Sequence, residues 1–116
     1  LPNTLELPEA KVNRTNPEIR ILLPEGYRLN AEGPSFARFF EGSPPKEKLK
    51  QEWKREALAK STTLALADLK EDTDYLLQGT FYFCLEAKNA VCKIASVSFP
   101  VRVDSGGTEK IEVNLK

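Results

Sequence analysis

Histidine is absent from this chain, which removes the commonest general base, the usual partner of a Ser or Cys nucleophile, and the commonest imidazole metal ligand. Hydrolase chemistry loses most of its support. Net charge is absent too: 17 Lys and Arg residues balance 17 Asp and Glu. No overall field draws the chain to nucleic acid or to an anionic membrane, so any partner must be recognised locally. No apolar run approaches the length of a bilayer span, and Leu1-Pro2-Asn3-Thr4 has neither the basic nor the apolar stretch of a signal peptide. Methionine is missing, an initiator included, and we expect a processed or excised segment of something longer. The two cysteines fall short of the four ligands of a structural zinc site unless a dimer or scattered carboxylates complete it. The one glycine pair, Gly106-Gly107, sits between strand-like segments without a phosphate-loop pattern. Neither a metal nor a nucleotide cofactor is expected.

What the chain does contain is the rhythm of a β-sandwich. Its 116 residues, 41% of them hydrophobic, suit a single domain spanning residues 1–116 that buries about two-thirds of its unfolded surface. Turn signals recur at short intervals between strand-like segments. Leu5 and Leu7 alternate with polar residues in a first strand that Pro8 consigns to a sheet edge. Ile19, Ile21 and Leu23 follow, and Pro24-Glu25-Gly26 then reads as a type I turn with proline second and glycine fourth. Tyr27 to Leu29, Ser35 to Phe40, Thr62 to Ala67, Leu76 to Cys84 and Val91 to Val103 are further strands, and Ile111, Val113 and Leu115 mark the last. The expectation is an antiparallel sandwich of seven or eight strands. One short helix over Pro45 to Lys60 completes it, because Leu49, Trp53 and Ala57 recur every four residues there. Its excess of lysine reads as a solvated face, with Trp53 packed on the sandwich rim. Asn13-Arg14-Thr15 matches the N-glycosylation pattern and reads as a turn.

The most informative segment holds both cysteines. Leu76 to Cys84 and Val91 to Val103 are rich in aromatic and β-branched residues, and Glu86 to Ala90 between them is polar, which predicts a hairpin. A turn centred on Lys88 opposes Cys84 to Cys92, Tyr82 to Ile94, Thr80 to Ser96 and Gln78 to Ser98. Phe81, Gly79 and Leu77 then oppose Ala95, Val97 and Phe99 on the other face. Alternation assigns this second set to the core and leaves the cysteines on the more polar face. Opposed residues lie about 4.5 to 5.5 Å apart, a separation a disulfide tolerates. Closing so short a segment stabilises by about 2.5 kcal/mol at most. Two readings stay open: a pair that exchanges disulfides, and an inert disulfide or two reduced thiols that merely lie close.

Three segments together resemble a family. Leu22-Leu23-Pro24-Glu25-Gly26-Tyr27-Arg28-Leu29-Asn30-Ala31-Glu32-Gly33-Pro34-Ser35, then Gly79-Thr80-Phe81-Tyr82-Phe83-Cys84, then Cys92 with the strand Ser96 to Val103, look like the C-terminal β-sandwich of proteins that join a thioredoxin-like domain to NHL repeats. They are more distantly similar to the N-terminal domain of the thiol:disulfide interchange protein DsbD. The resemblance spans about Glu18 to Lys116. It implies an immunoglobulin-like sandwich and, in the DsbD case, a cysteine pair that takes electrons from a thioredoxin-like domain and passes them to periplasmic proteins. Cys84 and Cys92 are the matching positions. The expected function is that of an accessory or interaction module whose cysteine pair exchanges disulfides with a thioredoxin-like partner, Cys92 being the sulfur attacked and Lys88 and Lys93 favouring thiolate. The alternative is a purely structural or protein-interaction domain. A disulfide would place it in the periplasm or another extracytoplasmic space, the cytoplasm being the alternative.

Overall fold

The computed structural model describes residues 4–86 and 91–115. It is an all-β sandwich of two sheets with one short helix. The strands are β1 (Thr4–Glu6), β2 (Ala10–Val12), β3 (Glu18–Leu22), β4 (Tyr27–Leu29), β5 (Phe36–Glu41), β6 (Lys48–Lys54), β7 (Thr63–Ala65), β8 (Asp74–Leu85), β9 (Cys92–Val103) and β10 (Lys110–Asn114), with α1 (Arg55–Lys60) between β6 and β7. The larger sheet runs β1-β9-β8-β5-β6, β2 joining further along β9 and β4 further along β8, while the smaller is β10-β3-β7. Ten strands are thus seen among the described residues, against the seven or eight expected, because three-residue pieces such as β1 and β2 each add to a long neighbour. Both run parallel to β9, and β10 runs parallel to β3. These three pairings depart from the antiparallel expectation. Their partners lie far apart in sequence, and crossover connections of that length allow parallel pairing.

The core lies between the sheets. Ile19, Ile21, Leu64 and Val113 from the small sheet meet Phe39, Leu77, Phe81, Phe83, Val97, Phe99 and Val101 from the large one, all buried. Phe39 stacks on Tyr75 with ring centroids 5.1 Å apart, and the Tyr75 hydroxyl accepts a hydrogen bond from the Lys70 amide at 2.8 Å, which meets the buried phenol's polar need. Gly79 makes room for Phe81. A Cβ at residue 79 would stand 2.7 Å from Cζ of that ring, so the glycine is what lets the ring lie flat over the strand.

The helix is shorter than its periodicity suggests. Lys48–Lys54 is a strand against β5, and only Arg55–Lys60 is helical. A register shift between Phe39 and Phe40 explains the error. It skips Lys50, placing Leu49 opposite Phe40 on the outer face and Gln51 and Trp53 opposite Phe39 and Ala37 on the inner one. A bulge reverses strand parity, so a broken two-residue period imitates a four-residue one. Trp53 packs against the core, and Leu58 of α1 is buried.

Two turns also resolve. Tyr27 donates its amide to the Pro24 carbonyl at 3.0 Å, and Gly26 has φ +82°. Proline therefore stands first and glycine third, the left-handed position of a type II turn, one residue out of phase with the type I reading. Asn13 forms the expected turn: its Oδ1 accepts from the Thr15 amide at 2.8 Å and its Nδ2 donates to the Gly107 carbonyl at 3.1 Å. Among the described residues no helix is long and apolar enough to cross a membrane.

Candidate functional site

The β8–β9 hairpin has the predicted register. Cys84 opposes Cys92, Tyr82 opposes Ile94, Thr80 opposes Ser96 and Gln78 opposes Ser98, while Phe81, Gly79 and Leu77 face Ala95, Val97 and Phe99. Leu85 donates its amide to the Val91 carbonyl at 2.8 Å, so Leu85 and Val91 form a hydrogen-bonded pair. By alternation Cys84 and Cys92 form a non-hydrogen-bonded one, where facing side chains come closest. Their Cα atoms are 4.0 Å apart and the two sulfurs are joined in a disulfide. Lys88, on which the turn was centred, lies outside the described residues.

The cysteine face is more buried than alternation implies. Thr80 and Ser96 are buried, with their hydroxyls 2.8 Å apart, and Ser98 is buried beside them. Thr4, Phe36 and Arg38 from the flanking strands line the shallow depression they occupy. Two opposed hydroxyls that satisfy each other are stable where either alone would be costly. Thr80→Ala therefore removes a buried partner and is not the near-neutral change an exposed threonine would allow.

Towards the hairpin end this face opens to solvent. Cys92 is exposed and Cys84 half-buried, while Ile94 on the same face is 39% exposed. The difference between the cysteines comes from their neighbours. On the Cys84 side lie β4 and the loop after it: Asn30 donates its amide to the Tyr82 carbonyl at 2.9 Å, and the Ser35 hydroxyl accepts the Tyr82 amide at 2.8 Å. That loop brings the Asn30 Nδ2 to 3.7 Å from Cys84 Sγ, and Arg28 stands directly across from Cys84 in the ladder, paired with Glu86. Lys93 is elsewhere. Its ammonium sits 5.2 Å from the Tyr27 ring centroid, because consecutive strand residues point to opposite faces. Lys93 is thus not placed to favour a Cys92 thiolate, which corrects the role expected of it. Among the described residues, the polar group that meets a sulfur is the Asn30 amide, at Cys84.

The loop depends on Gly33. A Cβ there would lie 2.3 Å from Cδ1 and 2.8 Å from Cβ of Tyr82, so the loop can lie on that ring only with glycine. Gly33→Ala is expected to lift the loop, lose the Asn30 contact to sulfur, and cost about 1 to 3 kcal/mol. Chemical denaturation, with the Asn30 side-chain amide resonance as the local probe, checks this.

The arrangement is a disulfide between an exposed Cys92 and a half-buried Cys84 whose sulfur meets an amide donor. Among the described residues no group of three or more Cys, Asp or Glu is placed to hold a metal. Comparison with protein-family models finds no match, and comparison with curated proteins finds none either.

Proposed function

We propose that this domain is an accessory module whose Cys84–Cys92 disulfide exchanges with a thioredoxin-like partner. The observation that carries the reading is the exposure of Cys92 at the open end of the outer face, beside a Cys84 whose sulfur meets an amide donor. A partner thiolate attacks Cys92 Sγ, the Cys84–Cys92 bond breaks, and Cys84 leaves as a thiolate that takes up a proton. The partner's second thiol then attacks the mixed disulfide and frees Cys92 as a thiol. Two electrons pass from the partner's dithiol, which becomes a disulfide, to this domain. Stabilising the leaving thiolate speeds such an exchange, and a donor at Cys84 does so whereas one at Cys92 would not. The resemblance to sandwiches that accompany thioredoxin-like domains supports the same reading.

The bond spans a sequence separation of only 8, inside a hairpin already ordered by its ladder. Its reduction is expected to remove no more than about 2 kcal/mol of stability, so both redox forms stay folded. Denaturation midpoints with and without reductant, and a reduction potential set against thioredoxin, test the proposal. Ready opening by reduced thioredoxin supports exchange. A potential below about −300 mV, or collapse of the fold on reduction, supports the rival reading of a structural staple in an interaction domain.

A further inference from the structure

Further along the outer face from the cysteines, the ladder sets hydroxyl and amide side chains in two adjacent rows. Phe36, Thr80 and Ser96 stand side by side in one, and Arg38, Gln78 and Ser98 in the other. Small side chains form the floor of a depression and the larger ones its wall. Over this stretch every neighbouring strand is described, β1 opposite Ser96 to Ser98 and β5 opposite Gln78 to Thr80. Thr80 and Ser96 satisfy each other at 2.8 Å, yet a pair of hydroxyls spends only one of its two protons on that bond. Ser98 is the residue the fold leaves over. It is only 5% exposed and lines the depression, and among the described residues its hydroxyl has no hydrogen-bond partner. A hydroxyl so enclosed calls for one.

We propose that this depression binds one unit of a neutral sugar, a function separate from that of the disulfide. The lining decides the ligand's chemistry. Arg38 is the one charged residue among those that line it, and its guanidinium lies 4.4 Å from the Phe36 ring centroid with its Nε on Glu52 at 2.8 Å. The Glu52 carboxylate offsets that charge and repels a second anion, while a cation finds no carboxylate in the lining. An apolar ligand would cover the Ser98 and Gln78 groups and pair neither, which costs affinity. Sugar hydroxyls both donate and accept, as do the hydroxyls of Thr80, Ser96 and Ser98 and the amide of Gln78. Size sets the limit of one unit. The volume is about 290 Å³, at the small end of ligand sites of roughly 300 to 1,000 Å³.

The probes are the methyl glycosides of glucose, galactose, mannose and N-acetylglucosamine, titrated into the protein and followed by its amide resonances, with sodium acetate and tetramethylammonium chloride as charged controls. At least one glycoside is expected to shift the Gln78, Thr80, Ser96 and Ser98 amides together and saturably, in the millimolar range that so small a ligand allows. The two salts are expected to leave them in place. Ser98→Ala removes a hydroxyl on which no described residue depends, and Gln78→Ala acts at an exposed position. Each is expected to weaken binding about fivefold and leave the fold intact. Ser98→Val fills the floor and is expected to abolish binding. A disaccharide of the glycoside that binds separates the sources: tighter binding assigns a unit within a chain and equal binding a free sugar, and both support the site. Absent or unsaturable shifts with all four glycosides overturn the proposal. Acetate moving the same amides as strongly overturns it too, since the depression would then be an anion site of Arg38. Undiminished binding to both Ser98→Ala and Ser98→Val would put the sugar elsewhere and overturn it as well.

Discussion

Phe81→Ala is expected to lower the stability of this domain by about 3 to 5 kcal/mol, enough to unfold a marginal one. The ring is fully buried and faces Ala95 across the ladder, and Gly79 two residues earlier leaves no side chain to fill the space it vacates. Small neighbours and a rigid sheet limit collapse into the cavity, which puts the cost near the upper end for aromatic truncation. Thr80→Ala, one residue away on the opposite face, removes the hydroxyl that satisfies Ser96 and is expected to cost about 1 to 3 kcal/mol. The double change of Thr80 and Ser96 to alanine is expected to cost less than the sum of the single ones, since it leaves neither hydroxyl orphaned. Urea unfolding of the four variants checks the order. A loss at Thr80 equal to that at Phe81 would mean that the cavity is not the controlling quantity.

How much of this was legible in the chain follows from the range of the signals. The β8–β9 register was legible because a two-residue period fixes which face each residue takes, and Cys84 and Cys92 lie symmetrically about one short polar segment. The alternation of Ile111 and Val113 near the end of the chain likewise becomes β10. Lys48 to Lys60 was misread because one bulge residue inverts parity and no local composition announces it. Parallel pairing of β1 and β2 with β9 was illegible for a different reason: strands of three residues carry too little pattern to name a partner. At the site, the two cysteines could be found from spacing. Asn30 and Arg28 could not, since they reach Cys84 across 54 and 56 positions of chain through the pairing of β4 with β8, and no periodicity reports such a pairing. The one signal for them was the Pro24-Glu25-Gly26 turn, whose left-handed glycine returns the chain as β4.

The asymmetry between the sulfurs yields the sharpest test of direction in the exchange. Cys84→Ser leaves the exposed Cys92 as a lone thiol, and Cys92→Ser leaves the half-buried Cys84 under the Asn30 loop. With Cys92 as the attacked sulfur, a thioredoxin variant lacking its resolving cysteine, activated as a mixed disulfide with thionitrobenzoate, should be trapped by Cys84→Ser about tenfold or more faster than by Cys92→Ser, because access to the sulfur limits the rate. Adding Asn30→Ala separates access from electronic assistance. In the disulfide form, loss of the amide donor near Cys84 should slow opening by a fixed concentration of thiolate, since a less stabilised leaving group departs more slowly. Trapping by Cys84→Ser should be unaffected, as no Cys84 sulfur then remains for Asn30 to meet. Preferential trapping through Cys84 would reverse the assignment and make Cys92 the leaving group.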